Sequence, residues 1–445
     1  MAQNIFRTVC QGNLSRLDSL LETESLDIED SRGRSLLHWA VGCGKKEALK
    51  YLVEKGIELN QEDLEKRTAM HVALNSGEET YFDLLVDFQP DDTWKNKYGP
   101  SLLEIALLRK NETFIKKLIA AGVDVNQVND RGSSPLEIAK RIKADKIEAL
   151  LLSLGADKDK VRQFKMQGAY MGQNPPGKMP KLFAPNFIST EESEFGSIFN
   201  AEGNAFYYAV DMFGRNEIRF SRKVGNQWTS PETILSHDRY GFNDPFLSND
   251  ENRLYFISKR ALDGQGDLKD VDIWYVQREG ESWSEPINIG VNINTSGNEY
   301  YISLTNTGTL YFASNINAPE DRKGFDYDIY AARSENGVFQ KPVRMSEAIN
   351  SEGYEADAFI APDESYIIFC SRREDGFGRG DLYISFKQAD GSWSNAQNMG
   401  EAINTPHYEY CPFVSKDGKY LFYTSKQDIY WVSTDIIKAL EEKSR

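Results

Sequence analysis

The sequence predicts two repeat arrays in tandem, an all-α solenoid followed by an all-β ring of five four-stranded units. Three observations carry the prediction. Ala40, Ala73, Ala106 and Ala139 stand 33 residues apart, each closing the same short phrase. From about residue 180 that pattern stops, and a strand such as Leu254-Tyr255-Phe256-Ile257-Ser258 begins to recur at longer intervals. At 445 residues, the chain is long enough for both arrays to bury a core of their own. A fixed period means stacked units, none of which buries its apolar face alone.

The phrase itself reads Ser35-Leu36-Leu37-His38-Trp39-Ala40, Thr68-Ala69-Met70-His71-Val72-Ala73, Ser101-Leu102-Leu103-Glu104-Ile105-Ala106 and Ser134-Pro135-Leu136-Glu137-Ile138-Ala139. Its Ser or Thr caps a helix start, and the small alanine lets two helices pack closely. Gly44 and Gly77 follow their alanines by four residues, where the chain turns into a second apolar helix such as Ala48–Val53. The unit ends on Gly56-Ile57-Glu58-Leu59-Asn60, echoed by Gly122-Val123-Asp124-Val125-Asn126. The phrase resembles the T-P-L-H-x-A signature of ankyrin repeats, whose usual work is gripping another protein. The resemblance implies five repeats over residues 1–157, with 4–29 and 129–157 as capping units. Lys66, where glycine is expected, and Phe88-Gln89-Pro90, in place of Gly-Ala, predict irregular turns.

Within this array His38 and His71 are read as structural, bonding the neighbouring loop, and Trp39 as core, because its equivalents Val72, Ile105 and Ile138 are apolar. The variable tips are the contact candidates: Arg32, Arg34, Glu65, Arg67, Tyr98 and Arg131.

Residues 158–178 are expected as a linker, with a charge run at 157–160 and an aperiodic Gly-, Pro-, Met- and Gln-rich stretch after it. The β array follows over 179–437, leaving 438–445 as a tail. Its second strand recurs as Phe206–Ala209, Leu254–Ser258, Leu310–Ser314, Ile367–Ser371 and Leu421–Ser425. A third strand opens on Asp272, Asp328, Asp381 or Asp428, whose carboxylates are expected to tie loop to blade. A fourth strand is marked by Pro231, Pro286, Pro342 and Ala396. Four strands per unit in five units is the pattern of a five-bladed β-propeller. The fifth unit lacks a fourth strand, and Met179-Pro180-Lys181-Leu182-Phe183 copies Lys341-Pro342-Val343-Arg344-Met345. Supplying it from the N-terminal side closes the ring and removes two raw edges. Pro362-Asp363-Glu364 and Lys416-Asp417-Gly418 resemble the turn of PD40 (WD40-like) repeats in TolB-type propellers, over roughly residues 180–435.

The first strand of each blade lines the channel. Glu194, Glu299, Glu355 and Glu409 share one position there, with Phe242 in the remaining blade. Two residues on, and hence on the same strand face, stand Gly196, Asp244, Tyr301, Asp357 and Cys411. Three readings are open. The repeated Glu bonds the next blade's backbone; or the carboxylates Glu194, Asp244, Glu299, Glu355, Asp357 and Glu409 form an acidic mouth for a cation, amine or basic peptide; or they work as the acid and base of a glycosidase. The acidic glycine loops at 263–267 and 375–381 lack Ca²⁺-loop spacing. His237 and His407 lie in loops without a triad context, and no P-loop, dinucleotide or H-E-x-x-H motif occurs.

The net charge is −16, of which −12 falls after residue 160. Such a surface repels phosphate and anionic lipid, which disfavours nucleic-acid and membrane partners. No apolar run of membrane-spanning length occurs, and Met1–Arg7 does not read as a signal peptide. Cys10, Cys43, Cys370 and Cys411 are read as reduced thiols of a cytoplasmic protein. The expectation is therefore a non-enzymatic scaffold that binds a protein or peptide, basic ones included, without cofactor or metal. The alternative is a glycoside hydrolase targeted by its repeats.

Overall fold

A computed structural model describes residues 2–88, 99–162, 165–212, 214–322, 324 and 326–444. The chain divides into two compact units, Met1–Gln163 and Phe164–Arg445. The fold class is the one expected: a helical, ankyrin-like region followed by a five-bladed, mostly β propeller.

Among the described residues the first unit holds five helix pairs: α1 (Ala2–Gln11) with α2 (Leu14–Leu21), α3 (Leu36–Gly42) with α4 (Lys46–Glu54), α5 (Ala69–Ser76) with α6 (Glu79–Asp87), α7 (Gly99–Leu108) with α8 (Glu112–Ala120), and α9 (Pro135–Arg141) with α10 (Asp145–Ser153). The four periodic alanines are all buried, where the helices press together. Ser35, Thr68 and Ser134 open α3, α5 and α9 as reciprocal capping boxes with His38, His71 and Glu137. His38 Nδ1 accepts from the Ser35 amide at 3.2 Å, which leaves Nε2 to donate to the Arg67 carbonyl at 2.9 Å. His71 repeats the arrangement, its Nε2 meeting Ser101 Oγ at 2.8 Å.

Between repeats the chain makes one recurring turn. Asp30 Oδ1 accepts from the amides of Arg32 and Arg34, Asp63 Oδ1 from those of Glu65 and Arg67, and Asn129 Oδ1 from those of Arg131 and Ser133. The turn at Lys66 is regular after all: its φ of 58° matches the 71° of Gly33 and 74° of Gly132, so lysine accepts the left-handed corner. Gln89 and Pro90 lie outside the described residues. Trp39 is half-buried rather than core, with its indole N–H on Asp30 at 3.0 Å and Arg34 stacked on its ring.

The cysteine reading needs correction for the first pair. Cys10 and Cys43 form a disulfide with Cα atoms 5.2 Å apart, while Cys370 and Cys411 are free and buried. Stacking brings equivalent positions of successive repeats side by side, and these two cysteines are one period apart. The pairing removes the thiol argument for a cytoplasmic location.

Among the described residues the second unit holds five antiparallel blade sheets, with innermost strands Ser193–Phe199, Asn243–Leu247, Glu299–Leu304, Glu355–Ile360 and Tyr410–Val414, and one further two-stranded hairpin, Ser334–Glu335 with Val338–Phe339. The ring closes as the sequence suggests. Lys181–Leu182 adds to the outside of Asp428–Ser433 in the fifth blade, pairing Lys181 with Trp431 and Leu182 with Tyr430. Phe183, fully buried, wedges between Phe199 and Phe206 of the first blade and Phe422 and Trp431 of the fifth.

Residues 165–178, expected as linker, are built into this seam. Trp228 of the first blade donates through its amide to the Met166 carbonyl and through its indole to Gly168. The Tyr170 ring lies on Tyr420 and Trp431 of the fifth blade, and its hydroxyl reaches Asp417 at 2.8 Å. Tyr170 and Met171 both hold positive φ, which turns the strap back on itself. The C-terminal residues are also structured: helix α11 (Asp435–Ser444) seats Ile437 on the propeller core.

Candidate functional site

The four repeated glutamates do not face solvent. Glu194, Glu299, Glu355 and Glu409 are each fully buried. Each carboxylate holds the amide and hydroxyl of the Thr or Ser four residues earlier, namely Thr190, Thr295, Ser351 and Thr405. Three of them also take a hydroxyl from the second strand: Ser314 at 3.0 Å, Ser371 at 2.8 Å and Ser425 at 2.6 Å. Burial pushes Glu194 well above the usual range, Glu409 upward and Glu299 up to about 7, outweighing these donors. The expected acidic mouth is thus corrected at these four positions, because their oxygens are spent inside their own blade.

The tie to the neighbouring blade comes instead from an asparagine that sequence reasoning passed over. Asn294, Asn350 and Asn404 each clamp both backbone groups of one residue in the preceding blade's third strand, namely Ile273, Ile329 and Leu382, at 2.8–3.0 Å. The signal was present as Ile293-Asn294-Thr295, Ile349-Asn350-Ser351 and Ile403-Asn404-Thr405. Among the third-strand aspartates, Asp328 pairs with Arg344 at 2.7 Å, and Asp381 accepts from the Phe377 and Gly378 amides.

Two residues beyond the glutamate position, all five innermost strands bulge. Gly196, Asp244, Tyr301, Asp357 and Cys411 have φ between 50° and 53°, and the pairing register shifts at each. The bulges aim these residues into the channel. A side chain at Gly196 would meet the Asp244 carboxylate at 2.9 Å, so that blade requires glycine. Tyr301 sends its hydroxyl to the Pro412 carbonyl at 2.8 Å.

Asp244, Asp357 and Cys411, from three different blades, then converge: one donor atom from each lies within 4.8 Å of the others, and all three residues are buried. Cys411 Sγ donates to Asp244 Oδ1 at 3.4 Å, and Asp357 accepts from the Cys411 amide. Burial pushes Asp244 up to about 6; burial and then the Asp244 charge push Asp357 well up. Half-buried Tyr300, Tyr354, Tyr408 and Tyr410 surround the group. Tyr408 donates to the Tyr354 hydroxyl at 2.7 Å, and exposed Arg372 lies over both rings.

On the helical array Arg32 is exposed at its tip, whereas Arg34 pairs with Asp30, and Arg67 with Asp63 and Glu65. Arg131 is half-buried, and Tyr98 lies outside the described residues. Sequence reasoning missed two exposed apolar residues in the same inter-repeat loops, Leu64 (54% exposed) and Val128 (50%). Among the described residues no helix is long and apolar enough to cross a membrane.

Comparison with known proteins agrees with the first array. The family description "Ankyrin repeats (3 copies)" matches residues 5–93. The human ASB11 ankyrin repeat domain is similar at 23% identity, over 34% of this chain and 69% of that one, with a TM-score of 0.30. No curated protein matches the chain. The N-terminal region thus carries ankyrin repeats, which are protein-binding modules.

Proposed function

We propose that this chain is a non-enzymatic adaptor whose ankyrin array grips one protein and whose propeller offers a second, separate binding face. The observation that carries the reading is the ankyrin array itself, five stacked pairs with the family signature over residues 5–93. Its inter-repeat tips are held rigid by the Asp30, Asp63 and Asn129 turns, which lowers the ordering cost of binding. They expose both charge at Arg32 and apolar surface at Leu64 and Val128, the mixture an interface core and rim require. The net charge of −16 favours neutral or basic partners over phosphate-rich ones. The propeller is read as PD40-like on its Asp363 and Asp417 turns, where each carboxylate accepts from the amide two residues on.

Affinity capture on the full chain tests the reading. The triple change Arg32→Glu, Leu64→Ser and Val128→Ser removes the captured protein while the melting profile stays unchanged. Capture indifferent to these changes contradicts it. Hydrolysis of a glycoside by the full chain, abolished by Asp357→Asn, would replace the scaffold reading with the enzyme.

A further inference from the structure

We propose that the propeller channel holds a divalent transition-metal ion, of the Zn²⁺ class, between the carboxylates of Asp244 and Asp357 and the thiolate of Cys411. Three points no more than 4.8 Å apart share a centre within about 2.8 Å of each, so small side-chain rotations bring all three donors to Zn–O and Zn–S bonding distance. Two carboxylates and one sulfur suit a borderline-soft ion, whereas Ca²⁺ and Mg²⁺ prefer an all-oxygen shell.

An independent observation points to a ligand there. Asp244 is only 6% exposed, and among the described residues no N–H or hydroxyl donates to either of its oxygens. Its one contact is the weakly donating Cys411 thiol. A carboxylate so buried is stabilised by strong donors or by a cation, and a thiol is a poor substitute for either. Asp357, 7% exposed, has the Cys411 amide and no side-chain donor among the described residues. Arg372 stacks on Tyr354 and Tyr408, and among the described residues no cation forms an ion pair with either aspartate. Glu355 and Glu409, on the strands of Asp357 and Cys411, offer the contrast, since each accepts from one amide and two hydroxyls.

The supporting frame is rigid. Each donor sits at a bulge, and the three strands are locked into one ring by the asparagine clamps and by the terminal closure. A site assembled from three blades also cross-braces the channel, so binding stabilises the closed ring by linkage. On binding, the Cys411 S–H bond breaks, its electron pair forms the metal–sulfur bond, and the thiol proton leaves to solvent together with any proton held by the aspartates.

The test uses the purified full chain, stripped with chelator and titrated with Zn²⁺ and, separately, Co²⁺. The expected result is one Zn²⁺ per chain, a thiolate-to-Co²⁺ charge-transfer band in the near ultraviolet, and a rise in the propeller's melting temperature that chelator reverses. Asp244→Asn and Asp357→Asn lower the metal content at least tenfold, and Cys411→Ser abolishes the band. The asparagine variants are isosteric and remove a buried charge, so without metal they melt at or above the parent temperature, which separates lost binding from lost folding. An adventitious surface ion, seen as sub-stoichiometric metal unaffected by all three substitutions, overturns the proposal. So does stoichiometric Zn²⁺ indifferent to Cys411→Ser.

Discussion

Removing the carboxylate of Glu355 destabilises the propeller by about 3–5 kcal/mol, if the repeated glutamate is an internal bolt. The side chain is fully buried and accepts the Ser351 amide at 2.9 Å, the Ser351 hydroxyl at 2.5 Å and the Ser371 hydroxyl at 2.8 Å. Arg373 stands 3.5 Å away but keeps other partners, the Ile349 carbonyl at 2.7 Å and Ser371 Oγ at 3.2 Å. In Glu355→Ala the two hydroxyls can rotate, but the Ser351 amide cannot, and each buried donor left orphaned costs roughly 1–3 kcal/mol. Glu355→Gln keeps one acceptor and turns an NH₂ toward a donor, so roughly half the loss remains. Glu194 provides an internal control: its cross-strand partner is Val210 instead of a serine, so Glu194→Ala costs about 1 kcal/mol less. Urea unfolding of the full chain, followed by near-ultraviolet dichroism of the propeller tryptophans, measures the ranking. An unchanged midpoint in Glu355→Ala, together with loss of a binding activity, would refute the bolt and restore the glutamates as contact residues.

Acid weakens the ankyrin array through His71, which burial holds down to about 4. The unfolded chain takes up this proton near 6.5 and the folded one only near 4, so stability is whole above the first value and falls across that window, by up to about 3 kcal/mol. Helical dichroism in urea at pH 7 and pH 4.5 reads the difference, and His71→Gln flattens it. Phe183→Ala empties the wedge at the ring seam and lowers propeller stability by about 3–5 kcal/mol, detected as an earlier propeller transition with the ankyrin transition unmoved.

Much of this architecture was legible because repeats write their constraints more than once. The 33-residue spacing of the alanines marked the helix pairs, and the strand from Met179 to Phe183 was recognisable as the missing member of the fifth blade. The same spacing also separates Cys10 from Cys43, a signal hidden by treating four scattered cysteines alone instead of by repeat position. The strap at 165–178 was misread because an aperiodic segment that packs across a seam has the composition of a linker.

The channel was partly legible. Asp244, Asp357 and Cys411 stood at one strand position in the alignment of blades, but regular alternation says nothing of a bulge, and it is the bulge that aims them at each other. Repetition of Glu194, Glu299, Glu355 and Glu409 could not tell inward from outward. The Thr or Ser four residues before each one could, since a buried carboxylate needs local donors.

Hydrogen exchange on the full chain, free and bound to its captured partner, tests the binding account most directly. The account predicts new protection concentrated in the inter-repeat turns at Asp30–Arg34, Asp63–Arg67 and Asn129–Ser133. Protection confined to the propeller, with those turns exchanging as in the free chain, would contradict it.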